Sequence, residues 1–381
     1  AAIIASCVIP PIPPGPIPIR INPAAMLKPP APVGLARTMR HLSVPSKETS
    51  LWRERLASEG WLAEGCGIHN LGDMRAIALS DSAPHSIDNL EIIDLEAIRA
   101  GPRHWTERLE PEQFRLHENE WPMSHDQIGD VIIIKIPPTL IKHTTEIGNA
   151  IIEQHPSARI VCADKGVKGE FRVRDLTVIS GDHSATTRTK VRESGNQFWV
   201  DPGAAYYSPR LANERIGTTD CAQNLSKLLG RKISVCDPYA GVGPALVPLA
   251  ALQDSIETIF ASDLNPRAAE LLTLNLPNHW TACRDARSLS KELPECCDLL
   301  LVNLPHDSID HLPDLLELLR KDHEVVIRGW AILALDSLNQ AEDEIRSILS
   351  DCEIISLTIE ANRSYSPNDA YACIEVHLIR S

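Results

Sequence analysis

The chain has 381 residues, 43% of them hydrophobic and 23% charged, the balance of a globular protein rather than a fibrous or disordered one. That length suits two or three domains of about 100–200 residues each. Asp and Glu outnumber Lys and Arg by 51 to 37, a formal net charge of −14, which excludes a protein that coats nucleic acid indiscriminately but leaves room for a local basic face. No run approaches the roughly 18 apolar residues of a membrane span, so no membrane association is expected. The ten cysteines are scattered without a Cys-x-x-Cys, Cys296 and Cys297 being the one adjacent pair. They read as reduced, buried thiols, with neither a zinc ribbon nor a redox pair.

Residues 1–38 carry ten prolines with little periodicity, and composition of that kind cannot build a packed core. They are expected to form a disordered extension, with Met26 and Met39 as candidate starts. A small unit follows over 39–82: a strand at His41 to Val44, a helix opened by Ser46 and covering Leu51 to Ala57, and a strand around Arg75 to Leu79. The polar stretch 81–88, with Pro84, suits a linker. A middle α+β domain is expected over 87–190. Its first strand is Asp130-Val131-Ile132-Ile133-Ile134-Lys135-Ile136, stopped by Pro137. A helix over Thr139 to Gln154 comes next, then strands at Ala158 to Ala163 and Arg172 to Ile179. Between Arg159 and Arg192, eight basic residues outnumber four acidic ones, either a solvated sheet face or a stripe that meets phosphate.

From 191 onward a strand at Gln197 to Val200 and a helix over Ser208 to Leu229 lead into alternating strands and helices. Strands are expected at Ile233 to Cys236, Ile259 to Ser262, Leu299 to Val302 and Glu324 to Arg328, with a final pair near Ile354 to Ile359 and Ala372 to Ile379. Alternation of this kind implies an α/β domain on a parallel sheet. Three strand ends carry the most telling residues. The first is Val235-Cys236-Asp237-Pro238-Tyr239-Ala240-Gly241-Val242-Gly243-Pro244, the second Ala261-Ser262-Asp263-Leu264-Asn265-Pro266, the third Leu301-Val302-Asn303-Leu304-Pro305.

In an open α/β sheet, ligands lie at the carboxyl ends of the strands. Gly241 and Gly243 remove side chains where a cofactor would lie against backbone. Asp263 follows about 20 residues later, the separation of a carboxylate that binds ribose hydroxyls. A third acid, Asp285, comes after the next short strand, where methyltransferases often hold the adenine edge. The ordered set reads as an S-adenosylmethionine site. A dinucleotide fingerprint needs a third glycine, and Leu246 stands there instead.

Ahead of the cofactor loop runs Tyr206-Tyr207-Ser208-Pro209-Arg210-Leu211-Ala212-Asn213-Glu214-Arg215. Ser208 is a suitable N-cap and Pro209 suits the first helical position. Arg210 and Glu214, four apart, form either a surface ion pair or, for Glu214, a general base beside the crevice. Asn303 has an amide that both donates to and accepts from a base edge, and Pro305 stiffens its turn.

These segments together resemble the archaeal and eukaryotic family of tRNA (guanine-37-N1)-methyltransferases. Further matching segments are Gln127-Ile128-Gly129-Asp130, Phe171-Arg172-Val173-Arg174, Glu193-Ser194-Gly195 with Phe198 and Asp201, and Arg363-Ser364-Tyr365-Ser366-Pro367. The resemblance covers His41 to Ile379. It implies a class I, Rossmann-like methyltransferase domain over 191–381, behind a small N-terminal domain that recognises tRNA and a middle α+β domain. It implies S-adenosylmethionine as cofactor and the anticodon loop of tRNA, at G37, as partner. Glu214 then falls at the general base and Arg174 at the guanine O6, with Asn303, Pro305 and Tyr206 about the base. Arg210, Asp237, Gly241, Gly243, Asp263, Leu264, Asp285, Ala286 and Asn303 fall on the cofactor side.

No metal is implied for methyl transfer, and the sequence shows no dedicated metal site. A cytoplasmic monomer is expected. Tyr207 stands where relatives commonly have Phe, adding a hydroxyl that needs a partner. Three alternatives stay open: the sister transferase of wybutosine synthesis, which moves the aminocarboxypropyl group of the same cofactor; a non-catalytic RNA-binding module; and, for want of that third glycine the weakest, a nicotinamide-dependent oxidoreductase. Arg210-Leu211 and Asn303-Leu304-Pro305 favour the methyltransferase over its sister.

Overall fold

The computed structural model describes residues 38–381 apart from Glu118; the Pro-rich segment 1–37 lies outside them. The chain divides into two units, one ending at Gly101 and one running from Pro102 to Ser381. In the first, strands β1 (Thr38–Pro45), β2 (Ile68–Leu71), β3 (Met74–Ala78) and β4 (Ile92–Glu96) form an antiparallel sheet in the order β2-β3-β1-β4. Helix α1 (Thr49–Ser58) buries Trp52 and Leu56 against Leu42, Val44, Ile77 and Leu79.

The boundary expected at residue 82 moves to Gly101. β4 pairs along β1 from Thr38 opposite Glu96 to Leu42 opposite Ile92, and Ala83 and Ile87 are buried in the same core. Without β4 the whole edge of β1 would present unpaired N–H and C=O groups. Its five residues, Ile-Ile-Asp-Leu-Glu, are too few and too mixed to announce a strand.

The second unit begins with α2 (Pro111–Leu116) and a four-stranded sheet, β5 (Asp126–Ile128), β6 (Val131–Ile134), β7 (Ile160–Lys168) and β8 (Val173–Gly181), in chain order across the sheet. β6 and β7 run parallel, joined through α3 (Thr144–Gln154). The helix expected from Thr139 opens as a 3-10 turn over Pro138–His143, because the paired prolines 137 and 138 withhold backbone donors there. Every residue of β6 is buried. Ile132 and Ile134 face α3 and Trp105, while Val131 and Ile133 pack with Val191 and Phe198 of the hairpin β9 (Thr189–Glu193) and β10 (Asn196–Val200). Cover on both faces explains an unbroken apolar run.

That second core also takes in Val242, Ala268 and Leu271, so the middle sheet shares its core with the domain beyond. There, β11 (Ile233–Asp237), β12 (Ile256–Asp263), β13 (Trp280–Cys283), β14 (Leu299–Val302), β15 (Glu324–Ala334), β16 (Cys352–Ser364) and β17 (Asp369–Arg380) form one sheet in the order β13-β12-β11-β14-β15-β17-β16. The five strands from β13 to β15 are parallel, and β17 and β16 close the edge as an antiparallel pair. The helices are α4 (Ala212–Leu229), α5 (Leu246–Ala250), α6 (Pro266–Asn275), α7 (Ala286–Leu289), α8 (Ser308–Leu315) and α9 (Leu338–Ile348). Chain order reverses between β11 and β14, the switch point where such sheets bind ligands. Among the described residues, no helix is long and apolar enough to cross a membrane.

Candidate active site

The glycine loop leaves β11 at the switch point. Gly241 and Gly243 take φ of 57° and 83°, left-handed values that L side chains adopt only with strain. The Gly241 N–H donates to Asp263 Oδ2 at 2.8 Å, tying the loop to the end of β12. Asp263 Oδ1 accepts from the Asn265 N–H at 2.9 Å, and the Asn265 amide donates to the Ala204 carbonyl at 2.8 Å. A Cβ at Gly241 would lie 3.9 Å from the Tyr206 carbonyl, so the segment before α4 borders this loop.

Asp237 is 2% exposed and accepts one bond, from the Tyr239 N–H at 3.0 Å. Burial pushes its carboxyl up to about 7, with the charge of Asp263 adding to the rise. Burial pushes Asp263 up as well. Among the described residues no Lys or Arg pairs with either acid. A buried and a half-buried carboxylate without a counter-cation suit a ligand that brings positive charge and hydroxyl donors. S-adenosylmethionine carries an ammonium, a sulfonium and a ribose diol, so the residues fit it.

Across the strand ends stands Glu214, in the first turn of α4. Its Oε2 accepts from Trp330 Nε1 at 3.3 Å and from Asn362 Nδ2 at 2.9 Å. Trp330 is buried with Tyr371 and Cys373 beside Leu211. Burial, then the charge of Glu214, raises the Tyr371 hydroxyl above its ordinary range. Of the two readings for Arg210 and Glu214, the surface ion pair does not form: Arg210 turns to Asp126 Oδ1 at 3.0 Å. Ser208 does not cap the helix through its side chain. The first turn is 3-10 over Pro209–Leu211, and α4 proper starts after it.

Arg174 meets Arg210 through the same acid: its guanidinium donates to Asp126 Oδ2 at 2.9 Å and to Asp164 Oδ2 at 3.4 Å. Burial opposes ionisation of Asp126, but the two arginines outweigh it and hold the carboxyl below its usual range. At the tip of the β7–β8 hairpin, Arg172 lies 3.0 Å from His306, directly after Asn303-Leu304-Pro305. The His306 ring meets Tyr365 edge-on at 6.2 Å. The third strand-end loop is thus flanked by the middle sheet on one side and the β16–β17 turn on the other. Asn303 is exposed, and the Pro305 carbonyl accepts from the Ile332 N–H at 2.8 Å.

Asp285 caps α7 by accepting from the Arg287 N–H at 3.0 Å and pairs with the Arg287 side chain at 3.1 Å. Leu264 is 48% exposed and Ala286 buried. The hydroxyl of Tyr207 finds its partner: it donates to Glu193 Oε2 at 2.9 Å, which also holds the buried Arg215.

Sequence reasoning missed Trp330, Asn362 and Asp126. Asn362 and Asp126 each lie one residue outside a matching segment, whereas Trp330 sits unmarked in an apolar strand. It also missed that the sulfurs of Cys236, Cys296 and Cys297 lie within 4.8 Å of one another in the core.

The comparisons with known proteins place the chain in a family. Residues 108–184 match the family described as the TYW2 N-terminal domain, and residues 189–329 the TRM5/TYW2 methyltransferase domain. The tRNA (guanine(37)-N(1))-methyltransferase Trm5b of Pyrococcus abyssi is 32% identical over 279 residues, 71% of this chain and 78% of the relative. This chain belongs to the tRNA (guanine(37)-N1)-methyltransferase family. The Methanocaldococcus jannaschii Trm5b is also 32% identical, over 51% of this chain and 56% of its own length.

The crystal structure of Pyrococcus abyssi Trm5b superposes with a TM-score of 0.61 at 27% identity, covering 90% of this chain and 99% of its own. The P. horikoshii TYW2 structure in complex with MeSAdo has a TM-score of 0.56 at 16% identity, covering 71% and 99%, and shows the shared fold alone.

Proposed function

We propose that the protein transfers the methyl group of S-adenosylmethionine to N1 of guanine-37 in tRNA, next to the anticodon. The observation that carries this reading is Glu214. Its Oε2 is pinned by Trp330 and Asn362, which orients the carboxylate beside a crevice where Asp237 and Asp263 lack a counter-cation among the described residues. Guanine N1 carries a proton and is a poor nucleophile, so it must lose that proton to attack. Glu214 takes it, an effect worth typically about 10²–10⁴ in rate. As the proton leaves, negative charge grows on O6. Arg174, its guanidinium already fixed by Asp126 and Asp164, stabilises that charge without reorganisation.

When bound, S-adenosylmethionine supplies an electrophilic methyl on its sulfonium. Asp237 and Asp263 would hold its cationic and ribose groups, and Gly241 and Gly243 would let it lie against backbone. Leu264, Asp285, Ala286 and Arg210 complete the cofactor side, while Asn303, Pro305 and Tyr206 hold the base, which must leave the anticodon-loop stack. The first unit takes the role of a tRNA-recognising domain. The setting proposed for this reaction is a cytoplasmic monomer.

The sister aminocarboxypropyl transfer shares the cofactor and fold, but would have no use for a base held toward N1. Labelled-methyl incorporation into a tRNA transcript tests the proposal: label enters a transcript with G37, and none enters one with A37. Equal labelling of both, or of neither, contradicts it.

A further inference from the structure

The basic stretch between Arg159 and Arg192 has two fates in the fold. At one end of the middle sheet, Arg172 and Arg174 belong to the crevice already described. At the other end, an open cleft of about 680 Å³ is lined by Gly129, Asp130, Arg159, Arg188, Lys190 and Trp199, among others.

On the outer face of the β9–β10 hairpin, Lys190 stands opposite Trp199. The Arg188 guanidinium lies 4.5 Å, and the Lys190 ammonium 4.7 Å, from the centre of the Trp199 ring. An aromatic ring orients cations through its quadrupole but cannot neutralise them. Among the described residues no carboxylate does so for Arg188, Lys190 or Arg192. The nearby acids are engaged elsewhere: Asp130 with Arg159 at 3.0 Å, and Glu193 with Arg215 at 2.5 Å. Three exposed cations therefore keep full charge on a protein of net charge −14. The hairpin behind them is rigid, its Val191, Phe198 and Val200 buried and its Trp199 backbone clamped by Asn275 at 2.8 and 2.9 Å.

We propose that this cleft and hairpin face bind the phosphates of the substrate tRNA away from the target base, an inference that rests on the tRNA reading above. Spacing supports it. β8 carries the chain from Arg174 to Gly181, which pairs with Ile160 beside Arg159. Seven residues at about 3.3 Å each set the cleft roughly 23 Å from the crevice. At about 3.4 Å per stacked nucleotide that is some seven steps along a strand, which carries the contact from the loop into the stem. Phosphate contacts there hold register without reading sequence.

The test compares wild type with Arg188→Glu/Lys190→Glu, using a tRNA transcript in filter binding across a salt series. The variant is expected to bind at least about tenfold more weakly, with the slope of log affinity against log salt shallower by about 1.5, close to two lost phosphate contacts. The KM for tRNA rises in parallel, while S-adenosylmethionine affinity and circular dichroism stay those of wild type. Arg188→Gln/Lys190→Gln gives a smaller change of the same sign. A wild-type slope and affinity in both variants overturns the inference, as does a wild-type protein that binds no tRNA. Because binding is read without turnover, a protein that binds tRNA here but methylates nothing fails the methyltransferase proposal alone.

Discussion

Asp237 ends one strand of the sheet and Asp298 directly precedes its neighbour; both carboxyls are buried, and their surroundings are opposite. Asp298, 0% exposed just before β14, is held by Arg231 at 2.7 Å, Arg320 at 3.0 Å and His323 at 2.8 Å. Burial alone would raise it, yet the bonds from Arg231, the Ser234 N–H and His323 bring it down to about 2. Asp237, at the far end of β11, has a single backbone donor and is pushed up to about 7 by burial. The fold satisfies one charge internally and leaves the other without a counter-cation. On the function proposed above, that contrast separates an acid held for stability from one held for the cofactor.

The largest expected effects strain this contrast from both ends. Glu214→Gln keeps cofactor affinity but lowers turnover by about 10²–10⁴, measured under single-turnover conditions. Undiminished turnover removes Glu214 as the base. Asp298→Ala leaves Arg231 and Arg320 without their carboxylate. It lowers unfolding stability by about 3 kcal/mol, the low end for a broken buried pair, because both arginines keep solvent contact; denaturant titration reads this.

Asp237→Asn separates the two acids by sign. The raised carboxyl means the folded state holds a proton that the unfolded chain has released, so wild-type stability falls as pH climbs from about 4 through 7. The variant loses that fall and melts higher at pH 8, while binding S-adenosylmethionine at least about tenfold more weakly. In wild type, affinity for the cationic cofactor rises with pH through about 7 and then levels. Asp298, lowered instead, stabilises the fold above about pH 4 and loses its contribution toward pH 2. A variant that loses cofactor affinity and stability together contradicts the division of roles.

The smallest effect belongs to the residues that hold Glu214. Trp330→Phe keeps the ring and removes the N–H donated to Glu214. Turnover falls about fivefold to tenfold, the worth of one ordinary hydrogen bond of about 1–1.4 kcal/mol, with cofactor affinity unchanged. An equal loss in cofactor affinity would mean repacking of the Trp330, Tyr371 and Cys373 cluster instead.

The strand ends at Asp237, Asp263 and Asn303 were legible because glycine, acid and proline punctuate apolar runs, and the sheet follows from their alternation with helices. β4 was not, since five half-polar residues gain their structure from the β1 edge. Nor was the turning of Arg210 from Glu214 to Asp126, a contact across 84 residues that no helical spacing encodes. Local pattern allowed an ion pair with Glu214, and the tertiary fold supplied Asp126 instead. Trp330 and Asn362 were invisible for the same reason: each reaches Glu214 from more than 100 residues away.

The most direct measurement is mass analysis of the nucleosides from a G37 tRNA transcript incubated with the protein and S-adenosylmethionine, beside a wyosine-precursor tRNA. The account predicts 1-methylguanosine from the first and no aminocarboxypropyl adduct from the second. An adduct on the precursor, or no modified nucleoside from either, would contradict it.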